Sequence, residues 1–217
     1  SFYPEDLPAA RMLSFYAKQF RTVEINNTFY RMPNAALLAK WAADVPDGFR
    51  FVLKASRRIT HIQRLEGVAD TVEYLWRTAA ELGDKLGPLL FQLPPFLKKD
   101  LPRLDVFLAL LPAGRPSALE FRHESWFCDE VYERLRGRDV ALCIADIDED
   151  DRAVPQVATA SWGYLRLRRC AYEDAAIDAW IDRVRRQGWK QAYVFFKHED
   201  EATGPKLARR FIERFGA

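Results

Sequence analysis

Short apolar runs alternate along the chain with longer stretches of helical spacing. The runs are rich in β-branched and aromatic residues: TVEINNTFY from Thr22, FRFVLKAS from Phe49, GPLLFQLP from Gly87, SALEFRH from Ser117, VALCIAD from Val140, GYLRLRR from Gly163 and QAYVFFKH from Gln191. Each predicts a strand. Between them, Leu65, Val68, Val72, Leu75, Trp76, Ala79 and Leu82 recur at helical spacing, followed by Leu104, Phe107, Leu108 and Leu111. Ile177, Trp180, Ile181 and Val184 repeat the stripe, as do Leu207, Phe211 and Phe215. Leu13, Tyr16 and Phe20 mark a further helix ahead of the first strand.

Strand–helix alternation implies parallel strands joined by right-handed crossovers, and so either a (β/α)8 barrel or an open doubly wound sheet. No glycine-rich turn follows the first strand, as a dinucleotide fold would need. Polar residues also close the strands all round the chain instead of at one switch point, which favours the barrel. The expectation is therefore an α/β chain forming one (β/α)8 TIM-barrel-like domain over residues 1–217. Only seven strands are read and a helix precedes them, so the first barrel strand is expected to be missing from the amino end of the sequence. An unclosed barrel would leave two strand edges exposed.

Six ordered motifs, FYPEDLP, VEINNTFYRMP, LKASRRITH, LLFQLPP, ALEFRHESW and CIADID, resemble the YecE-like family, also called the domain of unknown function 72 family. The similarity spans nearly the whole chain and implies a TIM-barrel-like fold in a family without an assigned activity. Members usually begin with a strand ending in a Gly-Thr-Ser-Gly-Trp-like turn, and Ser1 corresponds to a point just beyond it. A second departure lies in YLRLRR, where the family tends to carry His two residues after the arginine matching Arg166; here the residue is Arg168.

In ALEFRHESW, Glu120 and Arg122 stand two residues apart on a strand, so both side chains face one side. Inside a core such groups must be paired or used. In a barrel strand one parity faces the helices and the other the axis. Val23, Ile25, Leu53, Leu119 and Phe121 then point outward. Glu24, Asn26, Lys54, Gln92, Glu120, Arg122, Arg166 and Lys197 point inward, and Asp146 ends its strand. This set is expected to meet at the carboxyl-terminal mouth, where barrel enzymes place their sites. Acids and bases held close in low dielectric shift one another's pKa values, which suits Glu24, Lys54, Glu120, Arg122 and Asp146 to acid–base work. The competing reading is a ring of ion pairs that closes the barrel and binds nothing.

The loop SRRITHIQR brings Arg57, Arg58, Thr60, His61 and Arg64 to the same end as an anion-collecting rim, and Arg168 and Arg169 close GYLRLRR. Thr203-Gly204 precedes the last helix, where many barrels seat a phosphate. Tyr30, Trp126 and Tyr172 could stack on a base, sugar or ring substrate or serve as loop anchors beneath the mouth, the reading favoured for Phe29. Asn26, Tyr30, Arg57, His61, Gln92, Trp126, Arg166 and Lys197 are thus the expected substrate-binding set.

Other chemistries lack their signatures. His123-Glu124 and His198-Glu199 begin like zincin motifs but have no second histidine at the required spacing, and there is no GxSxG, GKS/T or GxGxxG element. The run from Asp146 to Asp151 lacks the glycine and terminal glutamate of a calcium loop. No metal and no cofactor is expected. Thirty-three basic against thirty-one acidic side chains leave no charge excess for coating a polyanion. Cys128, Cys143 and Cys170 are odd in number and form no CxxC, as befits free thiols of a reducing cytosol. No apolar run reaches the ~18 residues of a membrane span and no signal peptide is read, so the sequence predicts a cytoplasmic chain without a membrane partner. Three functions remain open: an enzyme using acid–base chemistry on a small anionic or sugar-like substrate, a nuclease-like barrel acting on nucleic acid, and a metabolite-binding module without turnover.

Overall fold

The computed structural model describes residues 2–31, 33–147, 155–196 and 202–216. Within them, seven parallel strands pair in chain order: β1 Thr22–Ile25, β2 Arg50–Lys54, β3 Leu86–Gln92, β4 Ser117–Glu120, β5 Ala141–Asp146, β6 Gly163–Leu167 and β7 Ala192–Phe196. Each strand lies within an apolar run that predicted it, except that β3 begins one residue early, at Leu86. The sheet curls into a nearly closed barrel, because side chains of β6 reach β1 across its interior: the Tyr164 hydroxyl donates to Glu24 Oε2 at 2.7 Å. β1 and β7 approach without a hydrogen-bonded ladder. On the outer side of that seam, Phe20, Thr22, Val194, Phe196, Phe211 and Phe215 line a largely apolar groove of about 840 Å³.

Helices α1 Ala9–Ala17, α2 Ala35–Ala43, α3 Ala69–Ala79, α4 Leu101–Ala109, α5 Asp129–Arg136, α6 Asp174–Arg186 and α7 Thr203–Phe215 surround the strands. Five coincide with the apolar stripes. The other two, α2 and α5, carry no readable stripe. The sequence of α2 is AALLAKWAA and only Leu38 is fully covered, while α5 is eight residues long and buries Val131, Tyr132 and Leu135. Their starts are marked locally instead. Asn34 Oδ1 accepts from Leu37 N at 2.8 Å at the head of α2, and acidic Asp129 and Glu130 open α5. No helix among the described residues is long and apolar enough to cross a membrane.

Strand parity sorts the core into two layers. Outward residues such as Leu53, Leu89, Phe91, Leu119 and Phe121 pack under α2 to α5, and Leu165 and Leu167 pack under α6 and α7. Inward residues Val52, Leu90, Ala118, Ala141, Cys143, Tyr164 and Tyr193 fill the lower barrel. Each fully buried aliphatic or aromatic side chain contributes roughly 1.5–3 kcal/mol. Gly163 begins β6 because a Cβ there would collide with the Trp189 ring. Above this apolar floor, the next inward positions are polar on β2, β3, β4 and β6, while Ala145 of β5 and Phe195 of β7 remain apolar.

Candidate functional site

Two strand steps above the floor, the inward side chains are Glu24, Lys54, Gln92, Glu120 and Arg166. Register places Gln92 of β3 directly beside Glu120 of β4, and Gln92 Nε2 donates to Glu120 Oε1 at 2.8 Å. Glu120 is fully buried and gathers three guanidinium groups. Arg166 Nη1 donates to Oε2 at 2.6 Å, while Arg122 Nε and Arg168 Nη2 reach Oε1 at 3.1 and 3.4 Å. Arg166 also bridges the barrel, donating through Nη2 to Glu24 Oε1 at 2.7 Å, and Asn26 Nδ2 donates to the same oxygen at 3.1 Å.

Backbone bonds beyond the strand ends hold these residues in line. Leu93 N bonds Glu120 O, Ala55 N bonds Leu90 O, and Arg168 N bonds Asp146 O, so the ladders continue one residue into the mouth. Thr28 Oγ1 donates to Ile25 O at 2.9 Å and to Lys54 O at 2.6 Å, which pins the turn carrying Phe29 over β2. Lys54 Nζ consequently lies 4.3 Å from the centroid of the Phe29 ring, a cation–π contact. His61 meets the same ring edge-on at 4.9 Å and is oriented by Thr60, whose Oγ1 lies 2.9 Å from Nδ1.

The charges set one another's protonation. Burial alone would raise the Glu120 carboxyl, but Arg166, Arg122 and Arg168 outweigh it and hold its pKa down at about 2. Burial likewise works against the Arg166 cation, and Glu120 and Glu24 more than reverse it. Burial, reinforced by Glu24, keeps Tyr164 protonated as a donor; burial, reinforced by Glu120, does the same for the Cys143 thiol. Lys54 differs from its neighbours. It has no carboxylate within ion-pair distance among the described residues, and burial followed by Arg166 brings its pKa down to about 8. Burial, Lys54 and Arg122 also lower His61, so its imidazole is neutral at neutral pH.

Of the residues expected at the mouth, Glu24, Asn26, Lys54, Gln92, Glu120, Arg122 and Arg166 come together, with His61 beside them. Asp146 does not. In β5, Ala141 and Cys143 face inward, so Asp146 falls on the helix side. There it accepts from Arg169 Nε at 2.7 Å, the Tyr172 hydroxyl at 2.9 Å and Trp180 Nε1 at 3.3 Å. Terminating a strand was no substitute for parity. Trp126 is also apart from the site: it is fully buried, stacked on Phe121, and donates through Nε1 to Leu97 O at 2.7 Å. Tyr30 is 74% exposed and touches Phe29 edge-on, and Arg57 lies exposed on the loop. Lys197, together with His198 and Glu199, lies outside the described residues.

The expected set omitted Arg168 and Tyr164. Both were legible by parity, standing two residues after and two before Arg166 in GYLRLRR. Among the described residues no three His, Cys, Asp or Glu side chains gather as a metal-ligand set.

The family described as "Protein of unknown function DUF72" matches this sequence over residues 1–217. The UPF0759 protein YunF of Bacillus subtilis (strain 168) is 32% identical over 142 residues, which is 62% of this chain and 50% of that protein. The UPF0759 protein YecE of Escherichia coli (strain K12) is 32% identical over 127 residues, 58% of this chain and 47% of that protein. The matched part thus spans about half the length of these curated relatives. A DUF72 family protein from Thermotoga maritima MSB8 superposes with a TM-score of 0.84 at 24% identity, covering 99% of this chain and 93% of that one. One from Enterococcus faecalis V583 gives 0.81 at 19%, covering 95% and 94%.

Proposed function

The chain belongs to the DUF72 family, and from that premise we propose that it is a barrel enzyme that seats a small phosphate- or carboxylate-bearing substrate at its mouth and moves protons there through Lys54. Charge balance carries this reading. Among the described residues four cations, Lys54, Arg122, Arg166 and Arg168, surround two carboxylates, Glu24 and Glu120, which leaves two positive charges without a described counter-charge in a largely buried cluster. The Nε groups of Arg166 and Arg168 are buried without a hydrogen-bond partner among the described residues. Arg122 spends only Nε on Glu120, and its side chain is one-third exposed. An anion would complete the charge balance and take up the outer donors of Arg122, while the two enclosed Nε groups stay beneath it.

Roles divide by protonation. Glu120, ionised down to about pH 2, is a poor proton carrier and serves to aim three guanidiniums. Lys54, with a pKa of about 8, exchanges its proton near neutral pH. A purely structural ion-pair layer would balance its charges, and an apolar layer would fill the space at lower cost.

The test is thermal denaturation at constant ionic strength with chloride replaced by phosphate or pyruvate. A saturating rise in Tm that disappears in Arg122→Gln and Arg168→Gln supports the reading. An unchanged Tm in every anion would overturn it.

A further inference from the structure

An amine kept only to attract an anion is best left fully charged, beside a carboxylate. Lys54 has the opposite environment. Its Nζ is half-buried, with guanidiniums of Arg122 and Arg166 nearby and Glu120 and Glu24 committed to those guanidiniums, and the Phe29 face beneath it offsets only part of that cost. His61, a neutral imidazole fixed through Nδ1 by Thr60, meets the same Phe29 ring. Desolvation and neighbouring cations are the two ways a lysine becomes a nucleophile, and both act here.

We infer that Lys54 forms an imine with a small oxo acid, a molecule carrying an aldehyde or ketone beside its anionic group, while Arg122 and Arg168 hold the anion. This rests on the anion-binding reading above and adds covalent chemistry to it. The neutral Nζ attacks the carbonyl carbon, a C–N bond forms, the carbonyl oxygen takes up a proton, and the now cationic nitrogen gives one up, which restores its lone pair. The resulting hydroxyl accepts a second proton and leaves as water, and the nitrogen lone pair closes the protonated C=N bond. No oxidant or reductant is consumed. His61, which meets the same Phe29 ring and has Nδ1 engaged by Thr60, would carry these protons through Nε2. The protonated imine then acts as an electron sink for breaking a bond next to the former carbonyl carbon.

Sodium cyanoborohydride reduces such an imine to a stable amine, so the test is to incubate the full chain at pH 7 with glyoxylate or pyruvate and the reductant, then map the adduct by peptide mass spectrometry. The chain has nine lysines. The expected result is one reduced adduct on Lys54, formed roughly tenfold or more faster than on any other lysine, since far more of this amine is neutral at pH 7. Lys54→Arg and Lys54→Met, shown to be folded by circular dichroism, are expected to lose it. Labelling spread evenly over the lysines, or none, overturns the imine. If phosphate still raises Tm in that case, the anion site survives alone; if phosphate also has no effect, both readings fall.

Discussion

Arg166 and Glu24 meet across the barrel, Nη2 to Oε1 at 2.7 Å, joining strands 142 residues apart in the chain. The bond has a structural consequence because β1 has a hydrogen-bonded neighbour on one side only. Together with the Tyr164 hydroxyl on Glu24 Oε2, it ties the free side of the sheet to β6 through the interior. The residues that build the mouth therefore also latch the barrel.

Removing one tie should be measurable. Tyr164→Phe deletes a buried donor to a carboxylate and is expected to cost about 1–3 kcal/mol. Urea denaturation reads the loss, and amide exchange in Thr22–Ile25 should rise more than in β4. Equal exchange in both strands would show that Glu24 does not secure β1.

Glu120→Gln should be far more damaging, about 3–5 kcal/mol at pH 7, because three guanidiniums lose their shared counter-charge. The pH dependence follows from linkage. The folded pKa of about 2 lies below the ordinary value of 4.5, so the carboxylate's stabilisation is complete above 4.5 and disappears as pH falls towards 2. The stability gap between wild type and variant should close over that window. A gap that stays constant to pH 2 would contradict the assigned ion pairs.

Lys54→Met should act in the opposite direction. The folded pKa of about 8 lies below the ordinary 10.5, so the unfolded chain holds the proton more tightly and the native state carries a penalty at neutral pH. The variant is expected to be about 1–2 kcal/mol more stable at pH 7, the shift being discounted because the side chain is only half-buried. That advantage should vanish as pH rises from 8 to 10.5. Denaturation at pH 7 and pH 10.5 provides the check.

Asp146→Ala should destabilise by about 1–3 kcal/mol, through the orphaned Tyr172 hydroxyl and Trp180 Nε1. Its response to phosphate should match the wild type. A lost phosphate response would return Asp146 to the site.

These contrasts show where the sequence was legible. The central strands are readable because a covered parallel strand is a short apolar run, the half-covered β1 and β7 keep enough β-branched and aromatic residues to read the same way, and Glu24, Lys54 and Glu120 stand out as charges at inward positions of such runs. Asp146 was misplaced although parity opposes it to Cys143, because ending a strand is a statement about height and not about direction. Trp126 could not be assigned from spacing: its packing on Phe121 and its bond to Leu97 O depend on how a loop folds back. The short α5 and alanine-rich α2 offer too few large apolar residues for a stripe, and their local marks are the Asn34 cap of α2 and the acidic first turn of α5. Electrostatic division of labour was also invisible. Glu120 and Lys54 look equally suited to proton transfer until their partners are known.

The most direct test of the charged mouth is crystallographic. Crystals soaked in selenate should show an anomalous peak within hydrogen-bonding distance of Arg168 and Arg122, and that peak should disappear in Arg168→Gln. Selenate bound elsewhere on the protein, with none between these two guanidiniums, would contradict the account.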